Sequence, residues 1–261
     1  MSIIDRCGQR PGRERGGDGA RKSKSGPGPV NRLHEAIRRL PPGVEFLVVV
    51  TWAFGLPIFA SIMSLAAPNA GRSPVFSNAE LFAAIVFEVI QLGFLAWFLR
   101  IRGWTLEKFG LAFSWSGTIV GVGLLAVTYA LVVAVGHVAQ GVFHYDVQAA
   151  IDRAPRFDEN LSMQLLFLVS VVNGIAEELF VAGYIITALQ PRRGMWVAIN
   201  VSVVVRLLYH LYQGPIGVLT AVPMGLLYGY LYSRTRQLWP LIVAHVLLIL
   251  VSLSWPGASA T

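Results

Sequence analysis

Several runs of this chain exceed the roughly 18 apolar residues that a helix needs to cross hydrocarbon. Lipid offers backbone N–H and C=O groups no partners, so runs of this kind pair internally as helices. With shorter apolar runs included, seven stretches are read as spans: Val44–Ala67, Ala79–Leu99, Trp115–Val142, Leu161–Leu189, Met195–Tyr212, Ile216–Tyr232 and Leu238–Trp255. Charged residues make up 13% of the chain against about 25% in soluble domains, which agrees with a membrane protein. The expected fold is therefore all-α, a polytopic transmembrane bundle of about seven spans. Val44–Ala67 is interrupted by Gly55 and Pro57, and Gly103–Ser114 between two spans reads as an interfacial turn.

A formal net charge of +7 could suggest nucleic acid, but the basic residues are distributed as topology signals and no nucleic-acid partner is expected. Residues 1–40 hold 10 of the 21 Lys and Arg among glycines and prolines, and read as a disordered cytoplasmic tail able to touch anionic lipid, with the membrane domain over 41–261. No apolar h-region follows these basic residues, so they are not read as a signal peptide. Placing the N-terminus inside collects 17 Lys and Arg on the cytoplasmic side and 3 on the other, with Arg206 left inside a span. That asymmetry predicts a multi-pass cell-membrane protein with its N-terminus in and its C-terminus out. The one cysteine, Cys7, lies in the polar tail and predicts neither an intrachain disulfide nor a nucleophile.

Within the apolar spans a few residues are too polar for lipid. Glu177 and Glu178 sit side by side in the fourth, Arg206 and His210 lie in the fifth, and His245 in the seventh. Ionisable groups at membrane depth cost about 2.5–3.5 kcal/mol or more, so they turn inward onto partners and mark function. Arg206 and His210 are four apart and share a helical face, as do Asn173 and Glu177, whereas Glu177 and Glu178 point about 100° apart. One glutamate can therefore aim at a polar cavity between the C-terminal helices while the other meets a neighbouring helix. By rise per residue, Glu177 and His210 each lie about 20 Å from their cytoplasmic helix ends and His245 about 12 Å, which makes His245 look shallower. Glu88 and Gln91 share a face of the second span, and His137 in the third reads as satisfying a neighbouring backbone group.

A carboxylate and one or two histidines in a partly dry pocket can run hydrolysis, the carboxylate taking a proton from water and a histidine orienting it or donating to the oxyanion. Glu177, His210 and His245 are equally the ligands of a His₂Glu zinc site with one open position. Spacing does not choose between the two. Other protease chemistries lack support: His34-Glu35 has Arg38 where HExxH needs its second histidine, no serine pairs with a histidine at depth, and every aspartate lies in the tail or a loop.

Glu177-Glu178-Leu179-Phe180-Val181-Ala182, then Arg206-Leu207-Leu208-Tyr209-His210, then His245-Val246-Leu247-Leu248-Ile249 resemble the EExxxR, FxxxH and HxxxN/D motifs of the CAAX protease and bacteriocin-processing family. That family is also called Abi or type II CAAX prenyl endopeptidase-like, and the resemblance covers about residues 160–250. It implies an intramembrane endopeptidase acting on a peptide or membrane-protein substrate in the lipid bilayer. By the same resemblance Glu177 is the water-activating base with His210 beside it, Glu178 a supporting carboxylate and His245 an oxyanion contact. Ala182, Arg206 and Ile249 depart from the motifs. The cation absent at Ala182 is then expected from Arg206, pairing with Glu178 or Glu88. Expected chemistry needs no cofactor, with zinc on Glu177, His210 and His245 as the alternative. The rival function is a catalytically degenerate relative serving as a membrane binding, immunity or scaffold protein, and a transporter would want more polar residues in the first three spans.

Overall fold

The computed structural model describes residues 29–66, 75–148, 156–158 and 160–254. Over them the chain is an all-α bundle. Its helices are α1 (Pro29–Arg38), α2 (Pro42–Ala66), α3 (Asn78–Ile101), α4 (Trp115–Phe143), α5 (Met163–Glu177), α6 (Ile185–Arg193), α7 (Met195–His210), α8 (Pro215–Thr235) and α9 (Trp239–Ser254). A π-helical stretch, Glu178–Tyr184, joins α5 to α6, so that Met163–Arg193 runs as one rod. The strands β1 (Val75–Phe76) and β2 (Arg156–Phe157) pair in parallel, Val75 with Arg156 and Phe76 with Phe157, and tie the loops before α3 and α5. Asn78 reinforces that tie, donating to the Asn160 carbonyl and accepting from the Ser162 N–H. Glu80 serves here too, closing a capping box with Ser77 at the start of α3.

Every one of the seven expected spans is occupied by a helix. Five among the described residues are long and apolar enough to cross a membrane: α2, α3, α4, the α5–α6 rod and Met195–Gln213. The others are α8 and the shorter apolar helix Trp239–Ser252. The central element is the α5–α6 rod, half of whose most apolar window is buried, against 17% for the peripheral α4. Outward-facing Ile119, Val120, Val122 and Val127 on α4 and Phe82, Val89 and Ile90 on α3 form the apolar surface a bilayer would cover.

Without a hydrophobic force between helices in lipid, close backbone approach decides which helices meet. A Cβ at Gly121 would stand 2.7 Å from the Val243 Cβ, and one at Gly117 3.1 Å from Trp239, which seats α4 on α9. Gly225 and Gly229 do the same for α8 against Val203 and Ile199 of α7, and Gly174 for α5 against Val246 of α9. Gly123, two residues after Gly121, faces nothing within 4 Å.

Residues 1–28 lie outside the described residues, and so do Cys7 and the loop 67–74. The remainder of the expected disordered tail departs from expectation, because 29–38 is the helix α1. Its C-terminal carbonyls are capped from elsewhere: Arg102 Nη1 donates to Ile37 and Arg38. The Arg102 Nε bonds Glu45 at 2.5 Å, and Glu45 also accepts from Trp104 Nε1 and the Tyr184 hydroxyl. Local composition carries no trace of such a long-range cap. Glu45 thereby links α1, α2, the turn after α3 and the π-helical stretch.

Pro57 lies inside α2 and can give no N–H to the carbonyl four residues back, that of Ala53. Gln91 fills the gap from α3, its Nε2 donating to the Ala53 and Trp52 carbonyls at 2.8 Å each. This polar side chain at membrane depth is therefore structural. Replacing it by Gln91→Leu strands a buried carbonyl, at a cost of about 1–3 kcal/mol. Thermal unfolding in detergent is expected to show that loss, and Pro57→Ala in the same chain, which returns an N–H to Ala53, is expected to recover it. An equal loss in single and double variants would refute the pairing.

Candidate active site

Glu177, Glu178, Arg206 and His245 come together around the point where α5 becomes π-helical. A π-turn inserts an extra residue and leaves carbonyls short of helical partners, a device found mostly at functional sites. Here the spare carbonyls are met from other helices: Ser202 Oγ donates to Val181, and the Tyr232 hydroxyl lies 3.3 Å from the Gly183 carbonyl. The distortion is thus braced by α7 and α8.

Glu178 is wholly buried and bound twice through one oxygen. Arg206 Nη2 donates to its Oε1 at 2.6 Å, and His245 Nδ1 stands 2.7 Å from the same atom. Arg206, 1% exposed, sends its Nη1 toward Glu177 Oε2 at 3.5 Å, so one guanidinium spans both glutamates. The expected pairing of Arg206 is with Glu178 rather than Glu88. Glu88 instead accepts from Asn173 Nδ2 at 2.8 Å, with its Oε2 buried and unpaired among the described residues.

Glu177 is held by one oxygen. Its Oε2 accepts from the Tyr209 hydroxyl at 2.6 Å and lies 3.9 Å from His245 Nε2. Tyr209 is stacked on Phe54 of α2 at 5.1 Å, which fixes the phenol. Sequence reasoning missed this residue, since a tyrosine in an apolar helix reads as bulk. The available signal was its place between Arg206 and His210, three residues after the one and next to the other.

His210 Nδ1 lies 2.9 Å from the Arg206 carbonyl. A carbonyl can only accept, so Nδ1 carries the proton and Nε2 is the free nitrogen. His245 Nδ1 faces Glu178 Oε1 at 2.7 Å, which leaves its Nε2 toward Glu177. His245 is not shallower than Glu177, contrary to the estimate from helix ends. That estimate places all helix ends in one plane, whereas α9 begins beneath the surface, after the fully buried Leu238, whose N–H bonds the Gly110 carbonyl. His137 meets its expectation, with Nδ1 donating to the Val133 carbonyl.

Both histidines with Nδ1 anchored and Nε2 free have the outer-shell arrangement of metal ligands. Coordination also needs three ligands within reach of one point. Among the described residues no group of three His, Cys, Asp or Glu side chains is so gathered.

Comparison with known proteins bears on the same segment. Residues 159–251 match the family model described as type II CAAX prenyl endopeptidase Rce1-like. Over these residues the chain is similar to that family. The matched segment runs from the approach to α5 into α9 and contains Glu177, Glu178, Arg206, Tyr209, His210 and His245. Helices α1–α4 lie outside it, and with them Glu88. No curated protein and no solved structure matches the chain.

Removing one member of a buried ion pair costs about 3–5 kcal/mol, far more than replacing both. Arg206→Met is therefore expected to destabilise strongly. Adding Glu178→Gln, which neutralises the orphaned carboxylate and keeps an acceptor for His245, is expected to recover most of the loss in thermal unfolding. Unchanged stability of Arg206→Met would remove the ion pair as a structural element.

Proposed function

We propose that this membrane protein is an intramembrane endopeptidase in which Glu177 activates water for attack on a peptide carbonyl. The observation that carries the reading is the asymmetry of the Glu177 carboxylate. Its Oε2 is committed to Tyr209 and flanked by Arg206 and His245, while its Oε1 has no hydrogen bond among the described residues. A fixed carboxylate with one idle oxygen is placed to take a proton from water.

In this mechanism Oε1 accepts the water proton as the hydroxide adds to the scissile carbonyl. His210, whose proton is on Nδ1, accepts from the same water through its free Nε2 and orients it for the attack. Glu177 passes its proton to the leaving amine and the C–N bond breaks. Glu178 stays paired with Arg206 throughout. In this reading no step is routed through a metal, and the residues of the chain carry every proton transfer. The substrate in this reading is a peptide or membrane-protein segment that reaches the bilayer interior, and the N-terminus is cytoplasmic by the distribution of Lys and Arg.

Ala182 and Ile249, where the motifs carry a cation and an amide or carboxylate, favour the second reading, a relative that keeps the fold without catalysis. Cleavage of a fluorogenic peptide library by the purified protein decides between them. Wild type is expected to cleave, Glu177→Gln and His210→Ala to lose at least about 10² in kcat, and a zinc chelator to leave the wild type unchanged. Loss of activity to the chelator would assign the same residues to a metal, and an inactive wild type would favour the second reading. Tyr209→Phe keeps the stack on Phe54 and removes only the bond to Glu177. It is expected to lower kcat about tenfold with little change in KM, the effect of one lost hydrogen bond to a charged group.

A further inference from the structure

Asn173 lies one helical turn before Glu177 on the same face of α5, so its side chain stands about 6 Å along the axis from the proposed base. It is half-buried, and one of its amide hydrogens is spent on Glu88 Oε1 at 2.8 Å. That bond fixes the orientation of the carboxamide. One N–H donor and the Oδ1 acceptor then remain, with no hydrogen bond among the described residues. Glu88 comes from α3, outside the matched segment, and through Asn173 is tied to α5 one turn before Glu177. The pair therefore flanks the same space as the proposed base.

A carboxamide with one donor and one acceptor left is the complement of a peptide group, which offers one C=O and one N–H. An extended chain advances about 3.3 Å per residue, so 6 Å corresponds to two residues. Resting on the peptidase reading, we propose that Asn173 binds the substrate backbone at the peptide group about two residues from the scissile bond, held in orientation by Glu88. The substrate is thereby an extended peptide segment, since a helical one spends the same N–H and C=O groups internally. Asn173 contacts substrate, and Glu88 is a positioning residue acting through it.

The test is a backbone N-methyl scan of one cleaved peptide, each methyl removing one N–H donor. With wild type, methylation two residues from the scissile bond is expected to raise KM about tenfold, the worth of one well-made hydrogen bond. Asn173→Ala is expected to raise KM by a similar factor for the unmethylated peptide with kcat unchanged, and to lose its sensitivity to that one methyl. Such a split marks binding shared equally by ground and transition states. Glu88→Gln still accepts from Asn173 and is expected to keep the wild-type KM, whereas Glu88→Leu is expected to behave as Asn173→Ala. A flat scan with wild type overturns the proposal without any variant, and so does Asn173→Ala retaining the full methyl effect. Absence of any cleavage by wild type would instead sink the peptidase reading itself.

Discussion

The bundle depends on one buried ion pair, Arg206 with Glu178, closed at 2.6 Å where both side chains are sealed from solvent. In lipid neither charge has an outside partner, so the helices carrying them are obliged to meet. The pair sets α7 against the π-helical stretch, and His245 on the same carboxylate oxygen brings in α9. Glycines make that meeting possible: Gly174 lets α5 approach Val246, and Gly225 and Gly229 let α8 close on α7 behind the arginine. The guanidinium is also shared unequally, at 2.6 Å to Glu178 and 3.5 Å to Glu177. One glutamate is thereby fully neutralised. The other keeps an oxygen for chemistry.

Much of this could be read before the structure, because lipid makes polarity expensive and therefore informative. The apolar runs predict the helices to within a few residues, and Arg206 at depth predicts a carboxylate partner. Its substitution for the cation missing at Ala182 was legible for the same reason: a charge balance across a dry bundle has to close wherever the cation sits in sequence. What was not legible depends on three-dimensional register. The depth of His245 was misjudged because α9 starts below the surface. Helix α1 was missed because its cap comes from Arg102, more than sixty residues away. The π-helical stretch has no signature in Glu178–Tyr184 itself, and its brace, Ser202, reads as an ordinary small residue on α7. Tyr209 was overlooked because nothing in its neighbours distinguishes a tyrosine that packs from one that holds a catalytic carboxylate.

Polar side chains at membrane depth here fall into two kinds, and the difference is one of completed against uncompleted hydrogen bonding. Gln91, Thr128, Ser170, Ser202 and His137 each donate to a backbone carbonyl, at 2.7–2.8 Å. They relieve backbone groups, and no chemistry is asked of them. The buried side-chain atoms left without a hydrogen bond among the described residues are Glu88 Oε2, Glu178 Oε2, Arg206 Nε and Arg206 Nη1. All four lie in one cluster, around Glu177 and His245. An unpaired buried polar atom costs about 1–3 kcal/mol, and scattered strays of that size are removed readily by single substitutions to apolar residues. Their concentration at one point, beside a carboxylate with an idle oxygen, is the expected mark of a site whose hydrogen bonding is completed by what it binds. Seen this way, the departures at Ala182 and Ile249 do not empty the site. Arg206 restores the charge from α7, and one turn before Glu177 Asn173, bonded to Glu88, adds an amide and a carboxylate that the three motifs do not contain.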